Sequence, residues 1–115
     1  MSNDMIIPEL NYETIESMIY FIRGQRVMLD FVLAKIYGYT TKAFNQQVQR
    51  NIEKFPEHYR FQLTNKEIME LSRSQFVTSI MQTSGIKGGR VYLPYAFTEQ
   101  GIYMLKKLHK RGMIK

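Results

Sequence analysis

The sequence predicts one small α+β domain in which short antiparallel strands alternate with helices. Three observations support this fold class. The chain has 115 residues, the usual size of a single domain. Short apolar or alternating runs flank turn residues, as in hairpin strands, and segments with helical apolar spacing begin at good capping residues. No internal repeat or linker interrupts the pattern, so we expect a domain over residues 18–115 preceded by a tail over residues 1–17.

A hairpin and a short helix are the first predicted elements. Residues 18–22 and 27–29 are apolar and enclose Gly24, so we expect two strands joined by a turn. Asp30 follows directly, and its carboxylate is a good N-cap for a helix over residues 31–37. Gly38 is expected to end this helix, because glycine readily adopts the left-handed conformation found after helices.

A second helix is predicted to run to about residue 54, with Thr40 or Thr41 as its N-cap. At helical spacing Phe44, Val48 and Ile52 fall on one face. The opposite face and its flank carry amide and charged side chains: Lys42, Asn45, Gln46, Gln49, Arg50 and Glu53.

The second half of the chain contains one stretch whose structure the pattern leaves open. Residues 59–63 alternate like a strand, and Thr64 with Glu67 forms a capping box for a helix to about residue 74. Residues 75–90 suit either a helix or a strand, and the glycine pair at 88–89 suits a hairpin turn. Residues 91–93 are expected to form a returning strand that Pro94 limits to an edge or an end. Thr98 is expected to cap a last helix over residues 99–109. Its inward side chains are expected to be Ile102, Leu105 and Leu108.

The charge of the chain favours a polyanionic partner. Sixteen Lys and Arg against ten Asp and Glu give a net charge of +6. Residues 1–30 hold five of these acids and two of the bases, so residues 31–115 carry 14 bases and five acids, a net charge of +9. A pI near 9.6 in one domain is typical of nucleic-acid binding. Composition alone leaves ordinary solubility charge as the alternative.

Several classes of protein are disfavoured by composition and motifs. The longest apolar run has five residues, at 18–22, whereas about 20 are needed to span a bilayer; no secretory signal is recognisable. The absence of cysteine excludes disulfides and thiolate metal sites. His58 and His109 are isolated, so we expect no metal and no cofactor. Without a carboxylate cluster or a nucleophile motif, we expect no enzymatic activity, and we expect a cytoplasmic protein without membrane contact.

Residues 33–51 have the layout of a helix-turn-helix, with Ala34 four positions before the turn glycine at 38. Asn and Gln can bind adenine bidentately, and Arg can bind guanine. A helix in the major groove presents such groups mainly from its N-terminal half. A solvated helix face is the alternative, since polar residues must lie opposite the apolar ones in any case. The candidates for reading bases are Lys42, Asn45, Gln46 and Gln49, and those for contacting phosphate are Lys35, Thr41, Arg50 and Lys54.

A second basic feature lies between the two potential strands near residue 90. Lys87 and Arg90 flank a glycine pair, so a hairpin tip there would place two cations on the DNA backbone or in a minor groove, as a wing does. An exposed loop whose charge aids solubility is the alternative. We include both residues among the candidate phosphate contacts.

Short sequence blocks in a fixed order are distributed over residues 19–108, about four-fifths of the chain. They are RGQRVMLD (23–30), LA (33–34) with YG (37–38), NQQV (45–48) with RN (50–51), FP (55–56), FQLT (61–64), and GGR (88–90) through LPYAFTEQG (93–101). In these blocks the chain resembles the phage "open reading frame six N-terminal" domain, a relative of the KilA-N and Bro-N DNA-binding domains of phages and large DNA viruses.

This resemblance implies a KilA-N/Bro-N-like small α+β fold that contains the helix-turn-helix, and it leaves open whether residues 87–90 form a wing or an exposed loop. It also implies a sequence-specific double-stranded DNA-binding domain of a phage or prophage transcriptional regulator or antirepressor, associated with the nucleoid of a bacterial host. Because one recognition helix covers few base pairs, a homodimer on a two-fold site is expected. The alternative function is a protein-interaction module whose basic face binds an acidic partner such as a repressor.

Overall fold

The computed structural model describes residues 18–71 and 93–114. These residues form a four-stranded antiparallel sheet and four helices, which confirms the predicted α+β class. The strands are β1 (Ile19–Ile22), β2 (Gln25–Leu29), β3 (Arg60–Gln62) and β4 (Tyr95–Thr98). The helices are α1 (Asp30–Tyr37), α2 (Thr41–Gln49), α3 (Asn65–Leu71) and α4 (Glu99–Lys110), with a 3-10 turn at Ile52–Lys54.

The predicted N-terminal hairpin is confirmed. Ile22 of β1 pairs with Gln25 of β2 across a two-residue turn. Its residues Arg23 and Gly24 both have positive φ, 55° and 77°, as the tight turns that match strand twist require. The two turn residues therefore determine how β1 and β2 pair with each other.

The strand order is β1-β2-β4-β3, so β4 lies in the middle of the sheet. The prediction of a strand over residues 91–93 is wrong for Leu93, which precedes β4; residues 91 and 92 lie outside the described residues. Pro94 also precedes the strand, where its missing N–H costs no sheet hydrogen bond. Its carbonyl accepts the N–H of Leu63 at 2.9 Å, which helps to align β3 with β4.

Three predicted helix N-caps are confirmed. The hydroxyls of Thr40 and Thr98 each accept the backbone N–H three residues further on, at 3.1 and 3.3 Å. Thr64 and Glu67 exchange the two hydrogen bonds of a capping box, at 3.2 and 2.8 Å. Gly38 ends α1 in the left-handed region with φ of 80°. These caps fix where α2, α3 and α4 begin.

Two predictions about α1 and α2 need correction. Asp30 is the first residue of α1 rather than its cap, since Leu29 occupies the cap position without a side-chain bond. Helix α2 ends at Gln49, five residues early, because the chain turns at Arg50 into the 3-10 turn. Ile52 is consequently 38% exposed and does not continue the buried face of α2.

The core is built from the inner faces of the helices and the central strands. Leu105 and Leu108 of α4 are buried as predicted, and Ile102 is half-buried against the same core. No described helix is both long enough and apolar enough to cross a bilayer. The predicted tail at 1–17, the predicted extension of α3 to about residue 74 and the stretch at 75–90 lie outside the described residues.

Candidate nucleic-acid interface

Helix α2 is fixed to the domain by two side chains that are completely buried. Phe44 and Val48 have 0% exposure. The Phe44 ring lies 5.7 Å from that of Phe97 on β4 and 6.2 Å from that of Tyr37 on α1. Burial of a phenylalanine side chain contributes about 1.5–3 kcal/mol, and aromatic pairs add to this. The apolar side of α2 is therefore held against both α1 and the sheet.

The outer side of α2 is exposed and free of acidic residues. Lys42, Gln46 and Gln49 are exposed, as is Arg50 at the C-cap. None of these four side chains takes part in a hydrogen bond or an ion pair with another described residue. These residues therefore lie on the exposed face that the helical spacing predicted.

Asn45 is placed differently from the other candidate base readers. Its Nδ2 donates to Asp30 Oδ2 at 2.9 Å, and its Oδ1 is buried without a hydrogen-bond partner among the described residues. Because Asn45 follows the buried Phe44, its side chain lies at the edge of the buried face. This position does not favour the predicted contact with a base, and it makes Asn45 a link between α1 and α2.

Asp30 joins three elements beneath α2. Asp30 is completely buried, with 0% exposure. Its carboxylate accepts a hydrogen bond from Asn45 on α2 and another, at 3.2 Å, from the backbone N–H of Tyr95 on β4. Buried charge is costly unless it is hydrogen-bonded, so these contacts hold α2 in one orientation. The sequence carried a signal for this role, since a lone acid interrupts the apolar run from Val27 to Ala34.

Arg60 on β3 is a second buried charge that sequence reasoning missed. It is 8% exposed, and its guanidinium lies 3.7 Å from the centre of the Tyr95 ring. Burial lowers the pKa of Arg60, while Tyr95 and Asp30 raise it. A guanidinium nevertheless stays charged in proteins, so Arg60 balances the charge of Asp30 inside the domain.

The candidate phosphate contacts are distributed around α2. Lys35 is exposed in the last turn of α1, Arg50 is exposed at the end of α2, and Thr41 and Lys54 are half-buried. Lys87 and Arg90, which were predicted to lie in either a wing or an exposed loop, lie outside the described residues.

Two other cations are already held by carboxylates. Arg23 pairs with Glu67 at 2.7 Å and Arg26 with Glu99 at 3.2 Å. The hydrogen bond to Glu67 raises the pKa of Arg23, and the same bond lowers the pKa of Glu67. The unpaired positive charge of the described residues therefore lies away from these two pairs, and it includes the ends of α1 and α2. In the ranges that the structure covers, no group of three His, Asp or Glu side chains could hold a metal ion.

The comparison with protein families decides the identity of the domain. The family model described as the ORF6N domain matches residues 17–108, from the start of β1 into α4. The chain belongs to the ORF6N domain family. No curated protein and no solved structure matches it significantly. The ORF6N match confirms the resemblance drawn from the sequence blocks and spans every element of the candidate interface.

Proposed function

We propose that this ORF6N domain binds double-stranded DNA sequence-specifically, as part of a phage- or prophage-type transcriptional regulator or antirepressor. One observation carries the proposal. Helix α2 packs against the domain through the buried side chains of Phe44 and Val48. Its outer side presents amide and cationic groups, and the helix contains no acidic residue. Such a face matches the donor and acceptor pattern of base edges, whereas a solvated helix face usually mixes both signs of charge.

The dimensions of α2 suit the major groove. Helix α1, the connection at residues 38–40 and α2 follow one another as in a helix-turn-helix. Lys42, Gln46 and Gln49 lie on one side of α2, because residues three and four apart are neighbours on a helix. At 1.5 Å per residue they span about 10 Å, which corresponds to roughly three base pairs at 3.4 Å each. A site of that length supports a dimer that reads two half-sites.

The balance of charge supports contact with a polyanion. Residues 31–115 carry 14 bases against five acids. Lys35 is exposed in the last turn of α1, and Arg50 is exposed at the C-terminal end of α2. Phosphate contacts made by such cations release counterions, so binding should weaken steeply as salt rises. The phosphate contacts position the helix, and the amides provide the selectivity.

Selection of bound duplexes from a random pool tests the proposal. We expect one enriched sequence with two-fold symmetry. Gln46→Ala and Gln49→Ala should each cost about 1–3 kcal/mol on the selected site and little on unrelated duplex. Arg50→Ala should weaken both duplexes by the same factor. Lys66→Ala is the control, because Lys66 is an exposed cation on α3, outside the proposed interface.

Two results would contradict the proposal. Unchanged selectivity in both amide variants would show that α2 does not read bases. Tight binding of an acidic protein, together with no shift of any duplex at moderate salt, would favour a protein-interaction module instead.

A further inference from the structure

A groove with a basic rim lies beside the chain segment that leaves α2. The groove encloses about 280 Å³ between the 3-10 turn, the segment at residues 56–59 and the C-terminal half of α4. Its walls include the cations Lys54, Lys107 and Arg111, the acid Glu53 and the apolar side chains of Pro56 and Leu108.

The three cations of this groove form no ion pair with a carboxylate of residues 18–71 or 93–114. In the described part of the chain the ion pairs are made by Arg23 and Arg26. Glu53 lines the same groove without forming an ion pair with any of the three cations. Lys107 has its Nζ 5.6 Å from the centre of the Tyr103 ring. Lys54 and Lys107 are half-buried and Arg111 is exposed. Clustered cations repel one another, and a bound anion would relieve that repulsion.

The groove begins close to the end of α2 along the chain. Lys54, which lines the groove, is the fourth residue after Arg50, the C-cap of α2. A helix lying in the major groove is bordered by two phosphate backbones, because that groove is only about 12 Å wide. A duplex that contacts Gln49 and Arg50 would therefore bring one of its backbones towards Lys54.

We infer that the C-terminal end of α4 makes a second contact with the DNA backbone, in which Lys107 and Arg111 join Lys54 on phosphate oxygens. This inference rests on the proposed DNA binding and extends it to an element outside the helix-turn-helix. The apolar floor of the groove suits the sugar edge of a strand, and the cations suit its phosphates. The contact adds affinity and fixes the orientation of α2 without reading sequence.

A matched pair of double variants tests the contact. Lys107→Gln with Arg111→Gln removes two cations from the groove. Lys106→Gln with Lys110→Gln removes two cations from the same turns of α4, where the side chains are exposed and do not line the groove. Both variants lose the same charge at the same helix end, so they differ only in position. Binding to the selected duplex and to an unrelated duplex is measured between 50 and 300 mM salt.

We expect the groove variant to lower the slope of log affinity against log salt by about 2, since each phosphate contact contributes about 0.9. At 0.1 M salt its affinity should fall roughly tenfold to sixtyfold, by the same factor on both duplexes. The control pair should change the slope by less than half as much.

Other outcomes overturn the inference in distinguishable ways. Equal losses in both variants would assign the effect to general charge. A groove variant with unchanged affinity, while Arg50→Ala still weakens binding, would remove the α4 contact and leave the proposed function standing. If the wild-type chain binds no duplex, both proposals fail. If the groove variant loses affinity for poly-L-glutamate but keeps its DNA affinity and salt slope, the groove binds an acidic chain instead.

Discussion

Replacement of Gly101 by alanine gives a test in which two physical effects have opposite signs. In an exposed helix, alanine is more favourable than glycine by about 1 kcal/mol. At position 101 of α4, however, an added Cβ would overlap the carbonyl oxygen of Tyr59 and lie 3.0 Å from its carbonyl carbon. These atoms belong to the backbone of Tyr59, which, unlike a side chain, cannot change rotamer to make room. The substitution must therefore displace α4 from the segment that precedes β3.

The contacts around Tyr59 set the size of the effect. Its carbonyl oxygen accepts the N–H of Thr98 at 3.0 Å and the hydroxyl of Thr98 at 3.2 Å, and Thr98 is also the cap of α4. Overpacking costs about 1–3 kcal/mol, and strained hydrogen bonds add about 1 kcal/mol each. After subtraction of the gain in helix propensity, we expect Gly101→Ala to destabilise the domain by about 2–4 kcal/mol.

Urea denaturation followed by circular dichroism measures this change. With an m-value of about 1–3 kcal/mol per M, the midpoint should fall by roughly 1 M or more. Gln100→Ala is the control, because Gln100 is exposed in the same turn of α4 and should change stability by less than about 0.5 kcal/mol. A Gly101→Ala protein as stable as the wild type, or more so, would refute the close approach of α4 to Tyr59.

Two further predictions concern the charged and polar contacts. The pKa of Glu67 lies below its ordinary value of 4.5 because Arg23 donates to it; this stabilisation is present above pH 4.5 and is lost as the pH falls through the lowered pKa. Glu67→Gln should therefore flatten the acid limb of the urea midpoint plotted against pH, by less than about 1 kcal/mol since the pair is partly exposed. Asn45→Ala removes the donor to Asp30, so it should cost about 1–3 kcal/mol of stability. Its effect on DNA binding should be equal for all duplexes, and a change in selectivity would instead restore Asn45 as a base reader.

The parts of the fold that sequence predicted correctly depend on neighbouring residues. Thr40, Thr64 and Thr98 cap their helices because the cap and the N–H that it satisfies lie three residues apart. The turn at Gly24 and the stop at Gly38 likewise depend on the conformation of single residues. The exposed face of α2 followed from helical spacing alone, so Gln46 and Gln49 were placed correctly.

The parts that sequence missed depend on residues far apart in the chain. Asp30 was interpreted as a local cap, yet it bonds Asn45 and Tyr95, 15 and 65 positions away. Nothing in the sequence around Arg60 indicates that the Tyr95 ring packs against its guanidinium. Pro94 predicted the edge or the end of a strand, whereas it directly precedes β4, an inner strand of the sheet. Helix propensity and apolar periodicity contain no information about such contacts between residues far apart in the chain.

Because β4 lies in the middle of the sheet, the domain can fold completely only after β4 has been synthesised. β4 pairs with both β2 and β3, so a nascent chain that lacks residues 95–98 cannot form either of these two strand pairs. The ring of Phe97, which receives Phe44, has not yet been translated at that stage. The proposed recognition helix is thus seated only after residues 95–98 have left the ribosome. Premature termination before residue 95 would release a fragment that lacks both strand pairs with β4 and is therefore prone to aggregation.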